Sequence, residues 1–211
     1  MINTKTIRDN TLRVLSEHNV PKHPHLPLLE SCNLRTQSQI CQRIVALYSL
    51  AGLANGADRR LLKDWLVAEG GWSFLSDIEQ KNLTDENLSR YELNELSWKQ
   101  ESLYVLCWCI AIVGDLVWPS SEANLDVVFP SIPPEVSISE FVESAEIRSE
   151  ESILQMLDLY YCIHAAVMHP ELWEDQVVRE DLIVEVILER RQALEWVCSE
   201  TVQWDEVSLD T

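Results

Sequence analysis

Apolar residues recur at intervals of three and four along most of this chain, and alternation of the kind that marks β-strands is lacking. The clearest series is Ile40, Ile44, Leu47, Tyr48 and Ala51, which would form one apolar stripe on a helix. Similar series, several preceded by Ser or Asp in a capping position, predict further helices. The predicted helices cover residues 36–55 and 58–69, a short stretch that begins at 76, a stretch that begins at 94 or 97 and ends at 113, and residues 149–168 and 176–199. With an N-terminal segment, these predict an all-α fold of about six or seven helices.

Prolines divide the chain at two places. Residues 20–35 contain Pro21, Pro24 and Pro27, which rule out a regular helix and predict an extended strap. Residues 119–137 contain four prolines and predict a long surface connection, with a short strand-like piece at 126–129. We therefore predict an N-terminal arm and strap over residues 1–35 and a single compact helical domain over 36–211.

The charge of the chain is strongly acidic and unevenly distributed. Its 211 residues include 16 Lys and Arg against 35 Asp and Glu, for a formal net charge of −19. The net charge is +3 over residues 1–70, −8 over 71–139 and −14 over 140–211. This balance argues against a nucleic-acid partner, because neutralising phosphates requires a Lys and Arg footprint.

The sequence carries no recognisable signal for export, a membrane or a cofactor. Its first residues lack an apolar signal segment, and the longest apolar run, residues 103–113, is shorter than the roughly 18 residues of a membrane span. The six cysteines lie mostly in apolar helical pattern, which favours reduced thiols in a cytoplasm. Glycine-rich phosphate loops, a nucleophile elbow and zinc-ligand spacing are not found. We expect a soluble cytoplasmic protein with no membrane contact, cofactor or metal, and leave open whether it is an enzyme.

Some ionisable residues fall on apolar helix faces. Projection at 100° per residue places Glu101 and His164 on the apolar stripes of their helices. On the last helix, Arg190 and Glu189 flank the apolar stripe, whereas Arg191 points away from it. These positions predict that several charged groups face the interior.

An inward-facing arginine needs an acidic partner, because burying an unpaired charge costs several kcal/mol. For Arg190 the candidates are Glu101, or Asp205 and Asp210 in a C-terminal tail that folds back over the last helix. Two interpretations stay open. One is a structural polar network, and the other is a ligand or catalytic pocket built from Glu101, His164, Glu189 and Arg190.

Three segments resemble a known family. Residues 98–108 read Trp-Lys-Gln-Glu-Ser-Leu-Tyr-Val-Leu-Cys-Trp, and residues 158–164 read Asp-Leu-Tyr-Tyr-Cys-Ile-His, shortly after Ile-Arg-Ser at 147–149. Residues 190–196 read Arg-Arg-Gln-Ala-Leu-Glu-Trp, and the chain closes with Trp-Asp-Glu-Val-Ser-Leu-Asp-Thr at 204–211. Together these resemble the bacterial domain of unknown function 4272 family over most of residues 35–211. The resemblance implies a functional or structural role, without a reaction, for Glu101, Arg148, Asp158, His164, Arg190, Trp204, Asp205 and Asp210.

Three hypotheses for function follow. The first is a bacterial protein-interaction module, such as an immunity or accessory protein, that binds a basic protein partner through its acidic surface. The second is a small-ligand-binding protein or enzyme that uses the inward-facing Glu, His and Arg cluster. The third is a homodimer formed through an exposed apolar face.

Overall fold

A computed structural model of the chain describes residues 2–23, 25–170 and 181–210. The described residues contain nine α-helices and no β-strand, which confirms the all-α prediction. The helices are α1 (Thr4–Glu17), α2 (Gln37–Ala54), α3 (Arg59–Ala68), α4 (Asp77–Thr84), α5 (Arg90–Ser97), α6 (Lys99–Cys109), α7 (Ile138–Ser144), α8 (Glu150–Met168) and α9 (Val184–Val197). Among the described helices, none has the length and apolar character that crossing a bilayer requires.

The predicted helix starts coincide with side-chain caps. The Thr36 hydroxyl accepts from the backbone N–H of Gln39, whose own side chain accepts from the Thr36 N–H, so α2 begins with a capping box. Ser76 begins α4 in the same way, Asp58 caps α3, and Ser149 caps α8. These helices begin where the sequence predicts because each cap needs only residues within one turn of it.

The helix count is larger than the six or seven predicted. The helix expected to begin at residue 94 or 97 is two helices that meet at Trp98, because Ser89 forms an earlier capping box and starts α5. Helix α7 occupies a stretch with no prediction and begins at the cap Ser137. The strand-like piece at 126–129 lies in two 3-10 turns, so that interpretation is wrong. The start predicted for the last helix, residue 176, lies outside the described residues.

The contacts divide the chain into two compact units. The first unit contains Met1–Arg35, Val117–Glu122 and Arg148–Thr211, within which α8 packs against both α1 and α9. The connection between α1 and α2, residues 18–36, contains no helix in its described positions. Asn33 in this connection forms an isolated parallel bridge with Ser199, just after α9. The N-terminal residues therefore share a unit with the last two helices.

The second unit contains Thr36–Leu116 and Ala123–Ile147. Helix α2 is its centre, since it packs against α3, α4, α5, α6 and α7. Most of α2 is buried, as is nearly all of α6, in which every residue from Glu101 to Cys109 is buried. Such all-round burial is typical of a central helix and not of a surface one.

Candidate functional site

One face of α8 carries several buried polar side chains of the first unit. Asp158, Tyr161 and His164 are three residues apart, so they form one stripe along the helix. Asp158 is 1% exposed and His164 3% exposed. The two helices that pack against α8 each contribute an arginine to these side chains, Arg8 from α1 and Arg191 from α9.

The first of these contacts is an ion pair between Arg8 and Asp158. Arg8 Nη2 lies 2.8 Å from Asp158 Oδ1, and Arg8 Nε lies 3.0 Å from Oδ2, so the pair is bidentate. The same guanidinium donates to the backbone carbonyls of Leu26 (2.9 Å) and Pro27 (2.8 Å). Burial opposes the charged form, but the hydrogen bond to Asp158 and nearby negative charge outweigh it and raise the pKa of Arg8. One arginine thus connects α1, α8 and the connection between α1 and α2.

The second contact joins α8, α9 and the C-terminal tail. Arg191 Nη1 contacts His164 Nδ1 and donates to the carbonyl of Leu209 at 3.0 Å. Arg191 Nη2 donates to the carbonyl of Asp210, also at 3.0 Å. The ring of Tyr161 lies 4.8 Å from the guanidinium carbon, within the range of a cation–π contact. The tail therefore covers α9 through its backbone carbonyls.

Protonation in this second contact follows from burial. Burial, and then electrostatic interaction with Arg191 and His169, lower the pKa of His164 to about 4, so the imidazole is neutral at pH 7 and Nδ1 can accept a hydrogen bond. His164 Nε2 is buried and finds no hydrogen-bond partner in the described part of the chain. Glu195, one turn after Arg191, accepts from its Nε and Nη2, each at 3.3 Å. Burial raises the pKa of Glu195 and lowers that of Arg191, and the attraction between them opposes both shifts.

Arg191 corrects one prediction from the helical projection. The projection places it on the outer face of α9, but its side chain is 2% exposed. The residues of the tail cover that face, so α9 is buried on two sides and the single-stripe assumption fails there. The prediction that Arg191 points away from the interior is therefore wrong.

Arg190 is completely buried, as the projection predicts. Its Nη1 donates to the carbonyl of Val117 at 2.5 Å and to the hydroxyl of Tyr160 at 2.9 Å. Asp205 and Asp210, two of its expected partners, are exposed, and a carboxylate oxygen of Asp210 accepts from Ser208 at 2.8 Å. The tail does fold over α9, but its backbone carbonyls accept hydrogen bonds from the neighbouring Arg191.

Glu101 belongs to the second unit. It is completely buried in the first turn of α6 and accepts a hydrogen bond from the backbone N–H of Ala123 at 2.6 Å. This carboxylate therefore points inward, as the sequence predicts. His164 and Arg190 belong to the first unit, so the joint pocket of these residues stays a prediction.

The remaining predicted residues differ in their surroundings. Trp204 is buried and packs edge-to-face on Trp196, with ring centroids 5.5 Å apart, and its carbonyl accepts from Gln192 at 3.3 Å. Arg148 and Glu189 are half-buried. Trp204 therefore anchors the tail that supplies acceptors to α9.

Sequence reasoning missed four buried charged residues, which are Arg8, Arg35, Arg43 and Glu79. Arg8 lies on the same face of α1 as Thr11 and Leu15, so a projection of α1 would have found it. Arg43 and Glu79 form a bidentate buried pair in the second unit, with Arg43 Nη1 3.0 Å from Glu79 Oε2. Glu79 also completes the capping box of α4. Because the capping box accounts for an acidic residue at this position, the sequence gives no separate signal that Glu79 is also an ion-pair partner.

Comparison with known proteins identifies the family. The sequence model of the family described as Domain of unknown function (DUF4272) matches residues 8–207, nearly the whole chain. The chain belongs to this family. Neither the curated proteins nor the solved structures contain a match.

The extent of the DUF4272 match bears on the two arginine contacts. The match begins at Arg8 itself, so it includes most of α1 and both partners of the Arg8–Asp158 pair. It also includes His164 and Arg191 and ends before Leu209. The DUF4272 domain therefore includes most of the segment that was predicted to be an N-terminal arm.

Each unit of this DUF4272 protein has a pocket. In the first unit, a pocket of about 390 Å³ lies between the connection of α1 to α2 and the end of α9, and Glu195 is part of its wall. In the second unit, a groove of about 340 Å³ is lined by Tyr48, Ala51, Gly52, Asn55, Gln100, Leu103, Leu125 and Phe129. Within the described residues, no group of three or more His, Cys, Asp or Glu side chains is placed to hold a metal ion.

Proposed function

We propose that this DUF4272 protein is a protein-interaction module whose second unit binds a basic partner segment that carries an apolar side chain. The observation that carries the proposal is the groove between α2 and the residues that follow Ala123. Its wall is mainly apolar and aromatic, and the segment that closes it, residues 123–147, contains no Lys or Arg. That segment, the acidic segment hereafter, exposes the carboxylates of Asp126, Glu135, Glu140, Glu143 and Glu146.

The groove and the acidic segment are close enough to act together. Burial and the charge of Glu135 raise the pKa of Tyr48 in the groove wall, so the field of this carboxylate reaches the groove. Phe129 packs edge-to-face on Tyr48 at 6.1 Å and is 39% exposed. An apolar anchor with a charged rim is the usual anatomy of a protein interface.

The distribution of buried charge supports an acidic exterior. Five arginines are buried among the described residues, but only three carboxylates are: Arg8, Arg35, Arg43, Arg190, Arg191, Glu79, Glu101 and Asp158. The surface therefore carries more net negative charge than the whole-chain value of −19. Such a surface accelerates association with a basic partner and makes binding salt-dependent.

A peptide-display selection on the immobilised protein tests the proposal. We expect enriched peptides to share one Leu, Phe or similar residue flanked by Lys or Arg. The variant E135K/E140K/E143K should lose this enrichment. The matched control E151K/E185K/E206K makes the same charge change at exposed positions of the first unit and should retain it. Selection of acidic peptides, no enrichment, or equal loss in both variants would contradict the proposal.

Small-ligand binding in the first unit is a second candidate. The observation that favours it is that Glu195 both lines the 390 Å³ pocket and bonds Arg191, so a ligand there would contact the buried charges indirectly. We expect a ligand of this pocket to raise the melting temperature of the wild type and to lose that effect in Glu195→Gln. A ligand that stabilises both proteins equally, or a metabolite screen without any hit, would speak against this candidate.

A further inference from the structure

Two cysteines lie side by side in the first unit. Asn33 and Ser199 are paired in a parallel bridge, and the N–H of Arg35 donates to the carbonyl of Val197 at 2.9 Å. Cys32 and Cys198 each precede one of the bridged residues. Paired segments of this kind lie about 5 Å apart, which is within the Cα separation of about 4.4–6.8 Å that a disulfide requires.

The thiols of this pair contact each other and reach solvent. Cys32 and Cys198 form a side-chain hydrogen bond, both are half-buried, and both line the 390 Å³ pocket. The other four cysteines, Cys41, Cys107, Cys109 and Cys162, are buried. A reagent in the pocket can therefore reach the pair, whereas the other thiols are shielded by the core.

The electrostatic surroundings also distinguish the pair. The hydrogen bond from Cys198 lowers the pKa of Cys32, although burial and the charges of Glu150 and Glu195 oppose this. Burial raises the pKa of Cys162 to about 12, so that thiol stays protonated at neutral pH. Because the thiolate is the nucleophile in thiol chemistry, Cys32 is the most reactive position.

We propose that Cys32 and Cys198 are a reversible modification site that reacts with low-molecular-weight disulfides and closes to an intramolecular disulfide. The Cys32 thiolate attacks one sulfur of the small disulfide, forms a mixed disulfide and releases one small thiolate. Cys198 then attacks the Cys32 sulfur and displaces the second small thiolate. The two protein thiols are oxidised, the small disulfide is reduced to two thiols, and those thiols take up the two protons.

The bond would join the connection between α1 and α2 to the residue that follows α9. It would form in the wall of the 390 Å³ pocket, so the oxidation state would alter that pocket. The inference does not depend on the proposed binding of a basic partner, because that groove belongs to the second unit.

Mass spectrometry of the native, full-length protein tests the proposal. The reduced protein is treated with oxidised glutathione at neutral pH, and the thiols that remain are alkylated and then mapped by digestion without reductant. We expect loss of two hydrogens, four alkylated cysteines and one cross-linked peptide that joins Cys32 to Cys198. Addition of dithiothreitol should restore six alkylatable thiols. A stable glutathione adduct, a cross-link between other cysteines, or no reaction at neutral pH would overturn the proposal.

Two conservative variants test the order of the steps. Cys198→Ser should stop at the first step and keep one glutathione on Cys32, because the resolving thiol is gone. Cys32→Ser should react at least about tenfold more slowly than the wild type, since the more reactive thiolate is missing. Circular dichroism of both reduced variants confirms that they fold. If Cys198→Ser gains no glutathione, or if Cys32→Ser reacts as fast as the wild type, the assignment of Cys32 as the attacking thiol is wrong.

Discussion

At the scale of single residues, the buried charges of the first unit are held by specific acceptors. Arg8 bonds one carboxylate and two carbonyls, and Arg191 bonds one imidazole, one carboxylate and two carbonyls. A projection of one helix can indicate that a charge faces inward, as it does for Arg190. It cannot name the partner, because the partner comes from another element of the fold.

The Arg8–Asp158 pair gives a prediction about stability. Arg8→Met should lower the free energy of unfolding by about 3–5 kcal/mol, because it leaves a buried carboxylate without its counter-charge. The double variant Arg8→Met/Asp158→Leu should recover much of that loss. Arg13→Met is the control on the same helix, where the pair with Glu17 is exposed, and it should lose less than about 1 kcal/mol. Urea unfolding followed by tryptophan fluorescence measures all three, and equal losses for Arg8→Met and Arg13→Met would refute the buried-pair interpretation.

His164 gives a prediction about pH. Its pKa is about 4 in the folded protein and about 6.5 in the unfolded chain, so between these values the unfolded chain binds more protons. Stability therefore falls as the pH falls through this window, by about 2 kcal/mol from pH 7 to pH 5. Urea unfolding at several pH values should show this slope in the wild type and a smaller one in His164→Gln. Identical slopes in the two proteins would mean that His164 is not the titrating group.

At the scale of elements, local signals determined how well helices could be predicted. The helices that begin at Thr36, Asp58, Ser76 and Ser149 were predicted because their caps are local in sequence. The capping box at Ser89 is the same kind of signal, and it marks the start of α5 ahead of α6. The burial of Arg191 could not be predicted in this way, since the residues that cover it are 18 and 19 positions further along the chain.

The tail gives a prediction at this scale. Deleting residues 208–211 removes the two carbonyls that accept from Arg191 and should lower the free energy of unfolding by about 2–5 kcal/mol. Asp210→Ala keeps both carbonyls and should change stability by less than about 1 kcal/mol. Chemical denaturation of the two variants shows whether the backbone carbonyls of the tail or the side chain of Asp210 provide the stabilising contact with Arg191. A larger loss in Asp210→Ala than in the truncated chain would contradict the contacts described.

At the scale of the whole molecule, the basic and acidic parts of the sequence do not correspond to the two units of the fold. The sequence divides into a basic first third and an acidic remainder, but residues 1–35 share a unit with residues 148–211. The all-α class could be predicted from apolar periodicity, which is a local property. Membership of the units could not, because it depends on contacts such as Arg8–Asp158 between residues 150 positions apart. The groove beside the acidic segment could likewise not be predicted, since its wall combines α2 with residues 125 and 129, which are distant from α2 in the sequence.

The most direct test of this account is a salt titration of binding by the peptide that display selects. Fluorescence anisotropy should show that affinity for the wild type falls at least about tenfold between about 0.05 M and about 0.5 M salt, because exposed charges are screened. Phe129→Ala should weaken binding at every salt concentration, since it removes part of the apolar wall. E135K/E140K/E143K should lose both the affinity and its salt dependence. Affinity that is independent of salt, or unchanged in both variants, would contradict the claim that this groove and its carboxylates bind a basic partner.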